Sequence, residues 1–269
     1  MSTITTSSEM TADRPTGAGQ AVLSARDVTV RYGGVVAVRN VSLEANSKEA
    51  LGLIGPNGAG KSSLLGAFGG QLKTRGGSIK LGERDITGTS VHTRARLGIT
   101  RTFQTTSEFE GMTVFENLLT SARGVKGASL VHTTFGWRTN RVEERDARAH
   151  AWEVLDRFEM AEIANLYGRE LSGGQRRLVE IMRCLMRRPS VLLLDEPMVG
   201  VAPHLVDKLV NDLRQIAADG IALVIVEHAL EVVRDLCDRV VVMAQGAVIA
   251  EGSYSAVISD EAVKHAYLG

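Results

Sequence analysis

Two cysteines in 269 residues, Cys184 and Cys237, are too few for a disulfide framework, and neither sits in a metal-ligand spacing. Both lie in apolar helical surroundings and read as buried free thiols in a reducing compartment. Net charge is lacking too, because 31 Lys and Arg balance 31 Asp and Glu. A dedicated nucleic-acid binder carries a basic excess, so this balance argues against that class. No long apolar run is present; Ile221–Val226, the longest of consequence, stops at Glu227. That is strand length, far short of the about 20 residues a spanning helix needs. Residues 1–21, rich in Ser, Thr, Gly and Ala, have neither an apolar core segment nor a basic start. They read as a disordered tail rather than a secretory signal. The remaining length suits one large domain, or one domain with a subdomain, and is enough to bury a core.

What is present is concentrated at Gly55, Pro56, Asn57, Gly58, Ala59, Gly60, Lys61 and Ser62, which match G-x-x-x-x-G-K-[ST]. Apolar Ala50–Ile54 ahead of the run reads as a buried strand, and Ser62–Phe68 behind it reads as a short helix. This is the strand–loop–helix setting that a phosphate-binding loop requires. Its glycines let successive N–H groups meet phosphate oxygens without an intervening Cβ, and the helix adds its positive end. Lys61 can reach the β- and γ-phosphates, and Ser62 can offer its hydroxyl to Mg²⁺.

Strand-like segments surround this loop: Val22–Val30, then, after a turn at Tyr32–Val36, Ala37–Leu43, and later Gly76–Leu81. From Thr113 to about Asn165 the pattern turns helical. Glu143–Met160 carries Ala147, Ala151, Val154, Leu155 and Phe158 at helical spacing, and Gly124–Asn140 interrupts it as a loop or irregular insert. From Val191 on, strands and helices alternate, which indicates parallel α/β winding. Val191–Leu194 is an apolar strand that delivers Asp195 and Glu196 at the sheet's carboxyl edge, where ligands bind in open α/β folds. The strand period of two sends the two carboxylates to different faces and so to different tasks. Asp195 suits the Mg²⁺ shell, and Glu196 suits polarising a water that attacks the γ-phosphate.

Between the loop and this strand lies Leu171-Ser172-Gly173-Gly174-Gln175. Ser172 and Gln175 form a capping-box pattern, and the two glycines behind Ser172 leave N–H groups open, a second anion-binding helix start. With this element the chain, from Val22 to Gly252, resembles the ATP-binding subunit of ABC transporters. The resemblance rests on the order phosphate loop, Gln104, Leu-Ser-Gly-Gly-Gln, Asp195-Glu196, His228.

The resemblance implies a P-loop NTPase core with an N-terminal antiparallel β section and an inserted helical subdomain at about 105–180, all within one ATPase domain at 22–269. It implies ATP and Mg²⁺ as ligands. The nucleotide would lie on Gly55–Ser63, Ser63 included, with Tyr32 stacked on adenine. Gln104 would touch Mg²⁺ or water and face the membrane partner, and His228 would contact the γ-phosphate. Two subunits would pair head to tail, each ATP sandwiched between one phosphate loop and the other subunit's Ser172, Gly173, Gly174 and Gln175. Many members carry an acidic residue where this chain has Ala202, in a loop that contacts the opposite subunit. Its loss removes the basis for that polar contact while leaving Glu196 in place. His92, His132, His150, His204 and His265 fit no motif and read as solvated or packing residues.

Arg101-Thr-Phe-Gln104, Val226-Glu-His228, Gly200–Pro203, the segment near Gly124–Arg141 and the terminal Ala266–Gly269 resemble the branched-chain amino acid importer group. Urea and short-amide importers and lipopolysaccharide-export ATPases share much of this pattern. The resemblance thus implies transmembrane permeases, a second ATPase subunit and, indirectly, a solute-binding protein. It places the chain in the cytoplasm, on the inner face of the membrane. ABC-type ATPases that act on DNA or ribosomes carry tandem ATPase domains or a long coiled coil; one phosphate loop and no long heptad run speak against them.

Overall fold

In the computed structural model, which describes residues 21–102, 110–122 and 137–268, the chain opens with β1 (Ala21–Tyr32) and β2 (Val35–Asn46). Both run longer than expected, and the turn between them shrinks to Gly33 and Gly34. Next come β3 (Ala50–Ile54), α1 (Lys61–Gly69), β4 (Thr74–Leu81), β5 (Arg84–Asp85), α2 (Val91–Leu97) and β6 (Ile99–Arg101). Two helices, α3 (Val114–Ser121) and α4 (Trp137–Arg157), precede α5 (Gly173–Leu185). The rest alternates: β7 (Val191–Asp195), α6 (Pro203–Ala218), β8 (Ala222–Val226), α7 (Leu230–Leu236), β9 (Arg239–Ala244), β10 (Ala247–Gly252), α8 (Tyr254–Ser259) and α9 (Glu261–Leu268).

Two sheets result. The first is antiparallel, in the order β2-β1-β4-β5. The second runs β10-β9-β3-β8-β7-β6, parallel except for the edge strand β10. Strand alternation decides what lies on each face of the second sheet. In β7, Val191 and Leu193 join the core shared with α1 and the antiparallel sheet, while Leu192 and Leu194 join the core shared with α5 and α6. In β8, Ala222, Val224 and Val226 take the first side, and Leu223 and Ile225 the second. All ten residues of these two strands are buried, as a strand covered on both faces must be. Each buried Leu, Val or Ile side chain contributes about 1.5–3 kcal/mol. The sheet is therefore a stiff platform, and its carboxyl edge can hold side chains in fixed positions.

The five apolar positions expected on the helix before Met160, namely Ala147, Ala151, Val154, Leu155 and Phe158, are all at most 5% exposed. The helix starts earlier than its apolar periodicity, at Trp137, and Glu159 in the left-handed region (φ 53°) closes it. Cys184 is buried in α5, whereas Cys237 lies just past α7 and is only partly buried. Burial pushes both thiols up to about 12, so both stay protonated and unreactive near neutral pH.

One tie was not legible from any motif. Arg94 is 1% exposed, and its guanidinium donates to the carbonyls of Ala67, Phe68, Ile86 and Thr87. A cation at the C-terminal end of α1 satisfies carbonyls that the helix leaves open and opposes its dipole. It thereby anchors the far end of the helix whose other end begins at Lys61.

Candidate functional site

The parallel register gathers the expected motifs at one edge. Leu53 lies opposite Val226, and Val226 lies opposite Asp195. The segments that follow β3, β7 and β8 thus leave the sheet side by side. They enclose a cavity of about 220 Å³ lined by Ala37, the run Asn57–Ser63, Glu196 and His228. Residues far apart in sequence therefore meet where the phosphate loop is. Ser172, Gly173, Gly174 and Gln175 do not line this cavity. Gln104 and His132 lie outside the described residues, as do all but the last residue of the expected 1–21 tail.

The loop needs glycine for stated reasons. At Gly60 (φ 100°) a Cβ would sit 2.2 Å from the Ala37 carbonyl oxygen, and at Gly55 (φ 143°) 2.0 Å from that of Met243. Gly60 is also the N-cap of α1 and supplies no side-chain cap, so the first N–H groups of the helix stay available to an anion. Lys61, 5% exposed, donates through Nζ to the carbonyls of Gly55 (2.7 Å) and Pro56 (3.0 Å). Burial lowers the pKa of its ammonium, and the charges of Glu196 and Asp195 oppose that shift. Tyr32 ends β1 half-exposed, with its hydroxyl 3.5 Å from Ser63 Oγ at the head of α1.

Asp195 has the parity of Val191 and Leu193, so the pleat turns it toward α1. There Ser62 Oγ donates to its Oδ1 at 3.3 Å. Arg101 holds the other oxygen, Oδ2, at 2.8 Å, and the Thr102 hydroxyl accepts the Asp195 N–H at 3.3 Å. Continued alternation would send Glu196 to the opposite face, as expected from the strand period. The structure corrects this: β7 stops at Asp195, and Glu196 adopts a left-handed backbone (φ 50°). That turn breaks the pleat and returns Glu196 to the cavity, where Oε1 lies 3.0 Å from His228 Nε2. A non-glycine residue there is strained by about 1–3 kcal/mol, which the surrounding bonds must offset. Glu227, 3% exposed, braces the same edge by accepting the N–H groups of Met198 (3.0 Å) and His228 (3.0 Å).

The donor set fits Mg²⁺. A hydroxyl and one carboxylate oxygen converge at a helix start, and Mg²⁺ ordinarily takes one or two such ligands together with substrate phosphates and water. Among the described residues no cluster of three or more His, Cys, Asp or Glu side chains forms an all-protein metal site.

The second helix start is built differently. Ser172 Oγ accepts the Gln175 N–H (3.2 Å), and Gln175 Oε1 accepts the Ser172 N–H (2.9 Å), so the expected capping box is present. Ser172 and Gly173 face solvent, and the N–H groups of Gly173 and Gly174 remain for an outside anion. Gly174 packs on the loop before α6: a Cβ there would lie 3.2 Å from the Gly200 carbonyl oxygen. Ala202 ends that loop as the N-cap of α6, with extended backbone (φ −63°, ψ 140°) and no capping side chain. Ala202→Asp is expected to supply the missing cap and stabilise the fold by about 1 kcal/mol. In a thermal melt this raises the midpoint by about 2–4 °C. An unchanged or lower midpoint would count against Ala202 as an uncapped helix start.

Of the other histidines, His92, His204 and His265 are exposed, and His150 bonds Glu153 and the Leu185 carbonyl. A larger cavity of about 490 Å³ opens away from the phosphate loop, between the α1–α2 side and helices α3 and α5. Arg101, Arg176, Arg183 and Arg187 line it together with one carboxylate, Glu180.

A parallel sheet with this loop, a strand-end Glu196 and a histidine lining one cavity, and Asp195 bound to Ser62 beside it, defines a phosphate-loop ATPase. Comparison with known proteins narrows the class. Residues 38–199 match the family model described as ABC transporter. The chain is 34% identical over 249 residues to the high-affinity branched-chain amino acid transport ATP-binding protein BraF of Pseudomonas aeruginosa, covering 92% of this chain and 98% of that one. It is 36% identical over 253 residues to LivG of Salmonella typhimurium, a protein of the same description, covering 93% and 98%. A solved nucleotide-free ATP-binding cassette from an ABC transporter superposes with a TM-score of 0.81 at 33% identity, over 93% of this chain and all of that one. The ADP conformation of an ATP-binding cassette of an ABC transporter superposes equally well, again with a TM-score of 0.81 at 33% identity, over 93% and 99%. The chain therefore belongs to the ABC transporter family, as a subunit that binds ATP and couples its hydrolysis to transport.

Proposed function

We propose that this chain energises import of branched-chain amino acids, as a peripheral ATPase on the cytoplasmic side of a transporter. The observation that carries the chemistry is the single cavity shared by the phosphate loop, Glu196 and His228. The solute assignment rests on the descriptions of the relatives BraF and LivG. In this reading Lys61 and the N–H groups of Gly58–Ser63 hold the β- and γ-phosphates, and Tyr32 stacks on the adenine. Ser62 and Asp195 hold Mg²⁺, which when bound draws charge from the phosphates. Glu196 accepts a proton from the attacking water as its oxygen bonds the γ-phosphorus and the bond to the ADP oxygen breaks. His228 orients Glu196 and the γ-phosphate.

Ser172–Gln175, outside this cavity, complete the site of an opposing subunit, so that hydrolysis waits for head-to-tail closure. Residues about 105–180 act as a helical subdomain, and Gln104 passes motion from the nucleotide. The larger, arginine-lined cavity receives a segment of the permease. Among the described residues no helix is long and apolar enough to cross a membrane, so membrane attachment comes from those partners.

Lys61→Ala tests both halves of this reading. The purified variant should bind ATP at least tenfold more weakly, because a charge-assisted contact to phosphate is lost (~1.5–3 kcal/mol). Cells carrying only that variant should lose uptake of labelled leucine, isoleucine and valine and keep uptake of urea. An unchanged ATP titration would remove Lys61 from the site. Retained leucine uptake with lost urea uptake would reassign the solute.

A further inference from the structure

Arg177 occupies the second turn of α5, and its side chain is 12% exposed. It has no place in the phosphate loop, the strand-end acidic pair or the capping box. Yet its Nη2 donates to the carbonyl oxygens of both Asp195 and Glu196, the latter at 2.9 Å. Its Nη1 is held by Glu180 one turn further along the same helix. A rigid guanidinium fork suits this task, since it grips two adjacent carbonyls from one anchored position.

The peptide it grips is the left-handed one. Glu196 is fixed on its amide side by the Val226 carbonyl (2.8 Å) and on its carbonyl side by Arg177 and the Val199 N–H (3.2 Å). Helix α5 also touches the other end of this connection, where Gly174 packs on Gly200 and Val201. The helix thus holds both ends of the segment that aims Glu196 into the cavity. The start of the helix, with Ser172 and Gly173 exposed, lies outside the phosphate-loop cavity.

We propose that Arg177 is a positioning residue that couples the two ATP sites of the dimer. Phosphate at the start of α5 sets that helix, and Arg177 transmits its position to the backbone of Glu196, which serves the other ATP. The inference rests on the head-to-tail reading above. It assigns the coupling within each chain to one side chain, where the sequence has Ala202 instead of an acidic residue at the loop that contacts the opposite subunit.

The test compares wild type, Arg177→Met and Arg177→Lys as full-length chains, in ATP titrations and steady-state hydrolysis, with folding checked by thermal melts. Displacing a reacting group by about 1 Å can cost on the order of 10²-fold, so turnover of Arg177→Met should fall by about that factor. ATP binding should stay within about twofold of wild type, and the Hill coefficient should drop from near 2, the number of sites, to near 1. Arg177→Lys, which can still donate to one carbonyl, should recover part of both. Wild-type turnover and Hill coefficient in Arg177→Met would overturn the proposal, and so would lost turnover with an unchanged Hill coefficient. A wild-type coefficient of 1 would overturn it equally. Should Arg177→Met not fold, wild-type behaviour of Arg177→Lys decides against it. Gly173→Asp separates the two levels of the argument: full activity in that variant defeats the head-to-tail reading itself, whatever Arg177 does.

Discussion

Glu196→Gln is expected to bind ATP as the wild type does and to lose about 10²–10⁴ in turnover, the usual worth of a positioned general base. The amide keeps the size of the carboxylate and can still hydrogen-bond His228, 3.0 Å away in the native site, so packing at the sheet edge is preserved. What it loses is the capacity to accept a proton from water. Lys61 and Ser62, proposed to meet the phosphates, keep their own side chains, and Lys61 loses only the nearby charge of Glu196. In the proposed cycle nucleotide drives closure and hydrolysis releases it, so the variant should also accumulate as an ATP-bound dimer, visible by size-exclusion chromatography. Phosphate release near the wild-type rate would show that another group takes the proton. Weak binding instead of slow turnover would mean that the left-handed turn at Glu196 had been lost with the carboxylate.

The parts of this site that were readable beforehand are those built from neighbours in sequence. Gly55–Ser62 declares a loop because every conformational demand falls within eight residues, and Ser172 with Gln175 declares a helix start for the same reason. The buried strands were legible because the short apolar runs Val191–Leu194 and Ile221–Val226 leave few alternatives. Arg101, Arg177 and Glu227 were not. Arg101 meets Asp195 across 94 residues, and Arg177 and Glu227 act on backbone groups, which carry no sequence signature. An arginine on an amphipathic helix reads as a solvated face until the fold shows what lies beneath it. Period-two alternation sends Glu196 to the face opposite Asp195, and the positive φ that instead turns it into the cavity cannot be foreseen from that pattern at a non-glycine residue. The early start of α4 escaped notice because its first turns are polar and carry no apolar stripe. Arg94 escaped because its partners are four backbone carbonyls and one hydroxyl, none of which carries a charge to pair with it.

Gly173→Asp is expected to abolish ATP hydrolysis while leaving the chain folded and able to bind ATP. Two observations make this variant discriminating. A Cβ at Gly173 meets nothing closer than the Gly200 carbonyl oxygen at 3.8 Å, so the side chain has room, and the residue has no left-handed backbone to strain. Gly173 is also the first residue of α5, where a carboxylate opposes the helix dipole favourably by about 0.3–1 kcal/mol. The melting temperature should therefore be unchanged or slightly higher. In the proposed head-to-tail arrangement the same carboxylate lies where a partner's γ-phosphate must approach, and repels it. The phosphate loop, in a separate cavity, does not feel the change, so ATP should still titrate with wild-type affinity while turnover disappears. Turnover lost together with ATP affinity would place Ser172–Gly174 against the chain's own nucleotide, and the division into half-sites would have to be abandoned.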